Sequence, residues 1–179
     1  MSENISVGIM FDTEYIVQNT GKGGSCDSPK QVVNQDKCIY MVSDYANEIS
    51  GHGYSELNIR ANRGDDIIWR ATALDFGSGE YTPFLYEFVA TAGSENMENI
   101  EVNSTSAAIA YPQTNHDNAP NCAMYLSQPD LGQVSAKVKY QSGVTYHIRF
   151  MLVEPTGPGK SDFKVIGYYH WDPFINWGT

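Results

Sequence analysis

Apolar and polar positions alternate along most of this chain. Ile5, Val7, Ile9 and Phe11 are separated by Ser6, Gly8 and Met10 and followed by Asp12. A period of two marks a strand with one buried face. Gly21 to Lys37 is rich in Gly, Ser, Asp, Asn and Lys and reads as a long loop. Cys38 to Val42 reads as a short apolar strand, and Asn47 to Gly53 as turn chemistry. Leu57, Ile59 and Ala61 point one way, Asn62-Arg63-Gly64-Asp65 turns, and Ile67, Trp69 and Ala71 resume the alternation. Thr82 to Ala90 is again strand-like. Ala92 to Thr105 is polar and acidic, and only Ile100 to Val102 interrupts it. Pro112 to Pro129 reads mostly as loop, with room for a short strand near Cys122 to Leu126. Val134, Ala136 and Val138 precede a Gln141-Ser142-Gly143 turn. Tyr146, Ile148, Phe150 and Leu152 then alternate up to the Thr156-Gly157-Pro158-Gly159 loop. Phe163, Val165, Gly167, Tyr169 and Trp171 complete the pattern before Asp172-Pro173.

No stretch sustains a period of 3.6 over three turns, and there is no tandem repeat. Short strands at fairly regular spacing, divided by Gly and Pro turns, indicate an all-β sandwich or barrel. The expected architecture is an antiparallel, jelly-roll-like β-sandwich with long loops and little helix. Strong strands at both ends make residues 1–179 a single expected domain.

Composition agrees with a globular chain. Hydrophobic residues make up 41% and charged residues 18%, outside the disordered and membrane ranges. Twelve Tyr and three Trp suit pleated, half-buried surfaces. The formal net charge of -10 and the absence of a basic run argue against nucleic acid or anionic lipid as partners. The opening Met1-Ser2-Glu3-Asn4-Ile5-Ser6 has no basic n-region and no long apolar h-region, so a cytoplasmic location is expected. No apolar run approaches the roughly 20 residues of a membrane helix. Three cysteines, Cys26, Cys38 and Cys122, are too few and too odd for a disulfide framework. Cys26 and Cys38 flank a polar segment that a disulfide would close, but in a cytoplasmic protein free thiols are expected.

Several segments suggest chemistry and fail on spacing. Gly159-Lys160-Ser161 resembles the end of a phosphate-binding loop, yet the position for the first Gly holds Glu154, and an alternating strand follows where a helix is needed. Gly64-Asp65-Asp66-Ile67-Ile68-Trp69 resembles a turn-to-strand element of cupredoxins. The copper candidates His116, Cys122 and Met124 stand in the wrong order for that site. His52, His116, His147 and His170 show no zinc spacing. His147 and His170 fall opposite the apolar positions and are expected on the outer face. Asn115-His116-Asp117-Asn118 has oxygen donors but lacks the spaced acids of a calcium loop. There is no Gly-x-Ser-x-Gly elbow, and the adjacent Asp65 and Asp66 would point to opposite faces of a strand. No catalytic residue, cofactor or metal is therefore assigned.

Three segments together carry a family likeness. They are Ile5 to Ile16, Glu56 to Asp65 running into Ile68-Trp69-Arg70, and Gly167-Tyr168-Tyr169-His170-Trp171-Asp172-Pro173. Tyr40-Met41-Val42 and Ile49-Ser50-Gly51-His52-Gly53 fit the same order. The chain resembles the AidA/PixA inclusion-body proteins of bacteria. The resemblance implies a non-enzymatic cytoplasmic protein, linked to host association, that self-associates as a homo-oligomer and can accumulate in inclusions. It brings no catalytic residues. The matching positions Leu57, Asn58, Ile59, Ala61, Gly64, Asp65, Trp69, Arg70, Gly167, Tyr168, Trp171, Asp172 and Pro173 are expected to be structural, as turns and core aromatics. A carbohydrate-binding, lectin-like sandwich is the alternative. It predicts exposed Tyr or Trp beside Asp and Asn in one concave site.

Overall fold

The computed structural model describes residues 2–75, 79–106, 109–112, 124–127, 130–156 and 162–175. In chain order the strands are β1 (Asn4–Phe11), β2 (Lys30–Gln31), β3 (Ile39–Ser43), β4 (Glu48–Ser50), β5 (Asn58–Ile59), β6 (Asp66–Ala73) and β7 (Thr82–Ala92). They continue with β8 (Met97–Ser106), β9 (Ile109–Pro112), β10 (Met124–Ser127), β11 (Asp130–Val138), β12 (Val144–Thr156), β13 (Asp162–Trp171) and β14 (Phe174–Ile175). The first sheet runs β3-β1-β6-β11-β8. The second runs β7-β12-β13-β2, with β14 also on β12. The inner faces of the two sheets meet in one buried cluster, which makes the molecule a sandwich.

Pairing is mainly antiparallel, as the alternation implies, but two described pairs are parallel: β1 with β6 and β13 with β2. A parallel pair needs a long crossover. Between β1 and β6 the chain crosses to the second sheet as β2, returns to the first as β3, and then forms the small β4–β5 pair. Parallel register sets Ile5 beside Ile67 and Val7 beside Trp69, all buried. The crossover also contains a helix, α1 (Thr13–Thr20). The Asp12 carboxylate accepts from the Tyr15 amide at 2.9 Å, and Gly21, at φ 80°, ends the helix. Eight residues span barely two turns, so no helical period emerges from the sequence.

Aromatic rings fill the space between the sheets. Phe11 of β1 stacks on Phe150 of β12 at 4.3 Å and meets Trp171 of β13 edge-on at 5.4 Å. Trp69 of β6 lies 5.2 Å from Phe88 and 5.9 Å from Tyr146. Burying each such side chain is worth about 1.5–3 kcal/mol, and each ring pair adds about 0.5–1.5. These contacts join positions far apart in sequence, so they set how the sheets face each other.

Two departures from simple alternation matter. Leu152 pairs with Gly167 but Val153 pairs with Val165, so Ile166 is an extra residue on β13. The bulge flips the faces beyond it. Tyr169 and Trp171 are buried as the alternation predicts, whereas Phe163 is 67% exposed. Gly167 sits at the bulge, where a Cβ would come within 2.5 Å of the Tyr169 hydroxyl and 2.8 Å of the Gly23 carbonyl. The second departure is β8. The polar stretch after Ala92, unassigned from sequence, is a ten-residue strand paired with β11. Its hairpin continues in register: Ser106 faces Asp130, and Ile109 faces Ser127 in the separate β9–β10 ribbon. The strand expected near Cys122 to Leu126 is found at Met124–Ser127.

Candidate functional site

The turn residues between β3 and β5 shape a polar hollow. Its volume is about 420 Å³, and Asp36, Gly51, Tyr54, Glu56 and Asn58 line it. Gly51 and Gly53 have φ of 85° and 81°, a left-handed conformation that glycine adopts at low cost. At Gly51 a Cβ would also strike the Glu56 carbonyl at 2.2 Å. The two glycines bend the chain so that the Tyr54 ring stands 64% exposed while the neighbouring Ser55 is fully buried. Tyr54 is tied down by its backbone, its carbonyl accepting from Met41 and its amide donating to Gly51.

Below this rim the site is anchored to the core. The Ser55 hydroxyl is hydrogen-bonded to the Asp36 carboxylate, and the Ser55 carbonyl accepts from the Trp171 indole at 3.2 Å. Asn58 donates to the Ser50 hydroxyl at 2.9 Å. The pKa of Glu56 is raised, first by burial and then by the negative charges of Asp36 and Asp172. The hollow thus offers an aromatic face, an amide and carboxylate oxygens, suited to hydrogen-bonding hydroxyl groups. Among the described residues, no three or more His, Cys, Asp or Glu side chains are placed to hold a metal ion.

The residues carrying the family likeness divide between core, turn and surface. Leu57, Ile59, Ala61, Trp69 and Trp171 are fully buried. Gly64, at φ 94°, closes the turn after Ala61. Asp65 is buried, and its carboxylate accepts from the amides of Glu3 at 2.9 Å and Asn62 at 2.7 Å. Arg70 donates to Gln133 at 2.8 Å, tying β6 to β11 on the outer face. Tyr168 meets Tyr86 edge-on at 5.8 Å. The Pro173 carbonyl accepts from the Tyr146 amide. Of this set, Asn58 lines the hollow. Asp36 and Tyr54 were missed from sequence, and Glu56 was read only as part of the family likeness. The Gly51-His52-Gly53 bend before an exposed Tyr is the one local signal that pointed there.

A second polar group lies on the outer face of the second sheet, where His147 and His170 were expected. Their rings are 5.0 Å apart, and His147 Nε2 is 3.2 Å from the Asp172 carboxylate. Beside them Arg149 pairs with Glu87 at 2.7 Å. The His170 pKa is lowered, chiefly by burial and then by His147 and Arg149. His52 is exposed, in the bend between Gly51 and Tyr54. Cys26 is an exposed free thiol. Cys38 is a buried one whose pKa burial and then Asp12 and Asp36 push up to about 12. Its sulfur is directed at the Asn34 and Gln35 carbonyls, 3.7 Å from each. His116, Cys122, Asn115 to Asn118 and the Gly159-Lys160-Ser161 segment lie outside the described residues.

These features define an all-β sandwich protein with a polar, aromatic-rimmed hollow on its loops. The chain belongs to the PixA inclusion body protein family, whose model matches residues 3–177. A crystal structure of a PixA-family inclusion body protein from Burkholderia cenocepacia has the same fold. The TM-score is 0.77 at 16% identity, covering 99% of this chain and 97% of that one. No curated protein sequence matches the chain. Among the described residues, no helix is long and apolar enough to cross a membrane.

Proposed function

We propose that this is a non-enzymatic, self-associating protein that accumulates in cytoplasmic inclusions of a host-associated bacterium. The observation that carries the reading is membership of the inclusion body family over residues 3–177. Physical chemistry supports it independently. An open sandwich has edge strands that can pair with another copy, and this one leaves β8 at the end of its first sheet. The net charge of -10 opposes close packing of copies, so salt should strengthen association by screening it. The test is mass by analytical ultracentrifugation across concentration, at neutral pH and two salt levels. Mass that rises with concentration, and more so at higher salt, is expected. A strict monomer at high concentration in both would overturn the reading.

The Tyr54 hollow favours a second reading, carbohydrate binding. An exposed Tyr ring can lie against the apolar face of a sugar while Asp36, Glu56 and Asn58 engage its hydroxyls. Calorimetric titration with a panel of neutral mono- and oligosaccharides tests it. Saturable one-to-one binding that Tyr54→Ala abolishes, with the fold retained, would establish it. Absence of binding across the panel would remove it.

A further inference from the structure

We infer that the outer edge of β8 is the surface through which two copies join, strand against strand and antiparallel. This rests on the self-association proposed above and names its contact.

Three observations converge on that edge. First, β8 ends the five-stranded sheet, and among the described residues its outer backbone edge pairs with nothing. Natural edges are usually blunted by lysines, prolines or bulges. Here the bulge, with Asn99 at φ 53°, lies near the start of β8, Pro112 stands at the end of β9, and no lysine lies between them.

Second, the inner face of β8 is poorly covered. Val102 is opposite Val134, which is fully buried, yet Val102 itself is 49% exposed. β8 is the end strand of the first sheet, at its margin. A second copy aligned along β8 would shield Val102 as well as satisfy the free backbone groups.

Third, the charge pattern selects both the occupant and its direction. The chain carries -10, so most of its surface repels another copy. From Val102 to Pro112 there is no Asp, Glu, Lys or Arg. The two carboxylates of β8, Glu98 and Glu101, both lie in its first half. In an antiparallel pair about a two-fold axis near Ser104, the acidic first half of each strand meets the uncharged end of the other. A parallel pair would stack carboxylate on carboxylate, which is destabilising. Antiparallel pairing also makes the contact isologous, so it closes as a dimer. Growth beyond the dimer requires a different contact.

The test compares the full chain with Ser104→Lys and Val102→Lys, each checked for fold by circular dichroism and tryptophan fluorescence, with Phe163→Lys on the other sheet as control. Near the two-fold axis, each new ammonium faces its own copy. Sedimentation equilibrium should show association weakened about tenfold or more in both edge variants and unchanged in Phe163→Lys. Hydrogen exchange on the unaltered chain gives a measurement independent of any variant: amides of 98–106 should gain protection as concentration rises. If the unaltered chain associates but the folded edge variants associate equally well, or protection at 98–106 is flat, the β8 contact is wrong while self-association stands. A monomeric unaltered chain would overturn both.

Discussion

The Trp171 indole N–H donates a 3.2 Å hydrogen bond to the Ser55 carbonyl, linking residues 116 positions apart. Both partners are buried, and Ser55 holds Asp36 through its hydroxyl. One core ring therefore packs on Phe11 and Phe150 and also fixes the floor of the Tyr54 hollow.

Trp171→Phe should therefore cost more than the lost ring area. It removes the donor and leaves the Ser55 carbonyl buried without it. The expected loss is about 2–4 kcal/mol, read from urea denaturation. A loss below about 1 kcal/mol would show that the hydrogen bond is dispensable.

Asp65 ties the start of β1 to the turn before β6, through the amides of Glu3 and Asn62. Asp65→Ala leaves both amides without that acceptor and should cost about 2–4 kcal/mol. Asp65→Asn keeps one acceptor oxygen and should lose less. Equal losses would mean that packing, and not the paired acceptors, explains the residue.

Tyr146 presents the opposite case. Its hydroxyl and the Trp69 indole N–H are sealed from water, and neither completes a hydrogen bond. Burial drives the Tyr146 pKa far upward, while the neighbouring Trp69 indole N–H, which approaches the hydroxyl without the geometry of a full hydrogen bond, acts against it. Tyr146→Phe removes a polar atom that was costly to bury and keeps the ring stacked on Phe88 at 4.4 Å. Stability should be unchanged or rise by up to about 1 kcal/mol. A loss above about 1 kcal/mol in thermal and urea unfolding would reveal a hydrogen bond that this geometry does not contain.

His170 gives stability a pH dependence with a definite sign. Its folded pKa lies below the ordinary 6.5 because of burial, His147 and Arg149. The unfolded chain thus takes up the proton more readily. The contribution is complete above pH 6.5 and is lost as pH falls from there through the lowered folded pKa. The facing charges include Asp172, which works against the shift, and Arg149, itself paired with Glu87. His170→Gln should flatten the decline in unfolding free energy across that interval. An unchanged slope would assign the decline to other groups.

Much of the sandwich was legible because a half-buried strand writes its burial into every second residue. Ile5 to Phe11, Val134 to Val138 and Tyr146 to Leu152 are buried where the alternation placed them. The pattern failed where burial stops being periodic. The helix Thr13–Thr20 has Ile16 as its one buried apolar residue. β8 is largely exposed at the margin of its sheet, so it carries no apolar stripe. The Ile166 bulge turned Phe163 outward although its spacing from Trp171 was even. The hollow was hidden for another reason: Asp36 reaches Ser55 only through the crossover that brings distant loops together.

By itself the sequence determined most of the long alternating strands, many of the turns between them and the aromatic supply of the core, because these depend on neighbours along the chain. Its ordered segments also carried the resemblance to the family. Only the tertiary structure decided that β1 lies parallel to β6, that Trp171 supports Ser55, and that β8 ends its sheet, unpaired on its outer side among the described residues. Each is a contact across many residues, set by how two twisted sheets share one core and not by any local pattern.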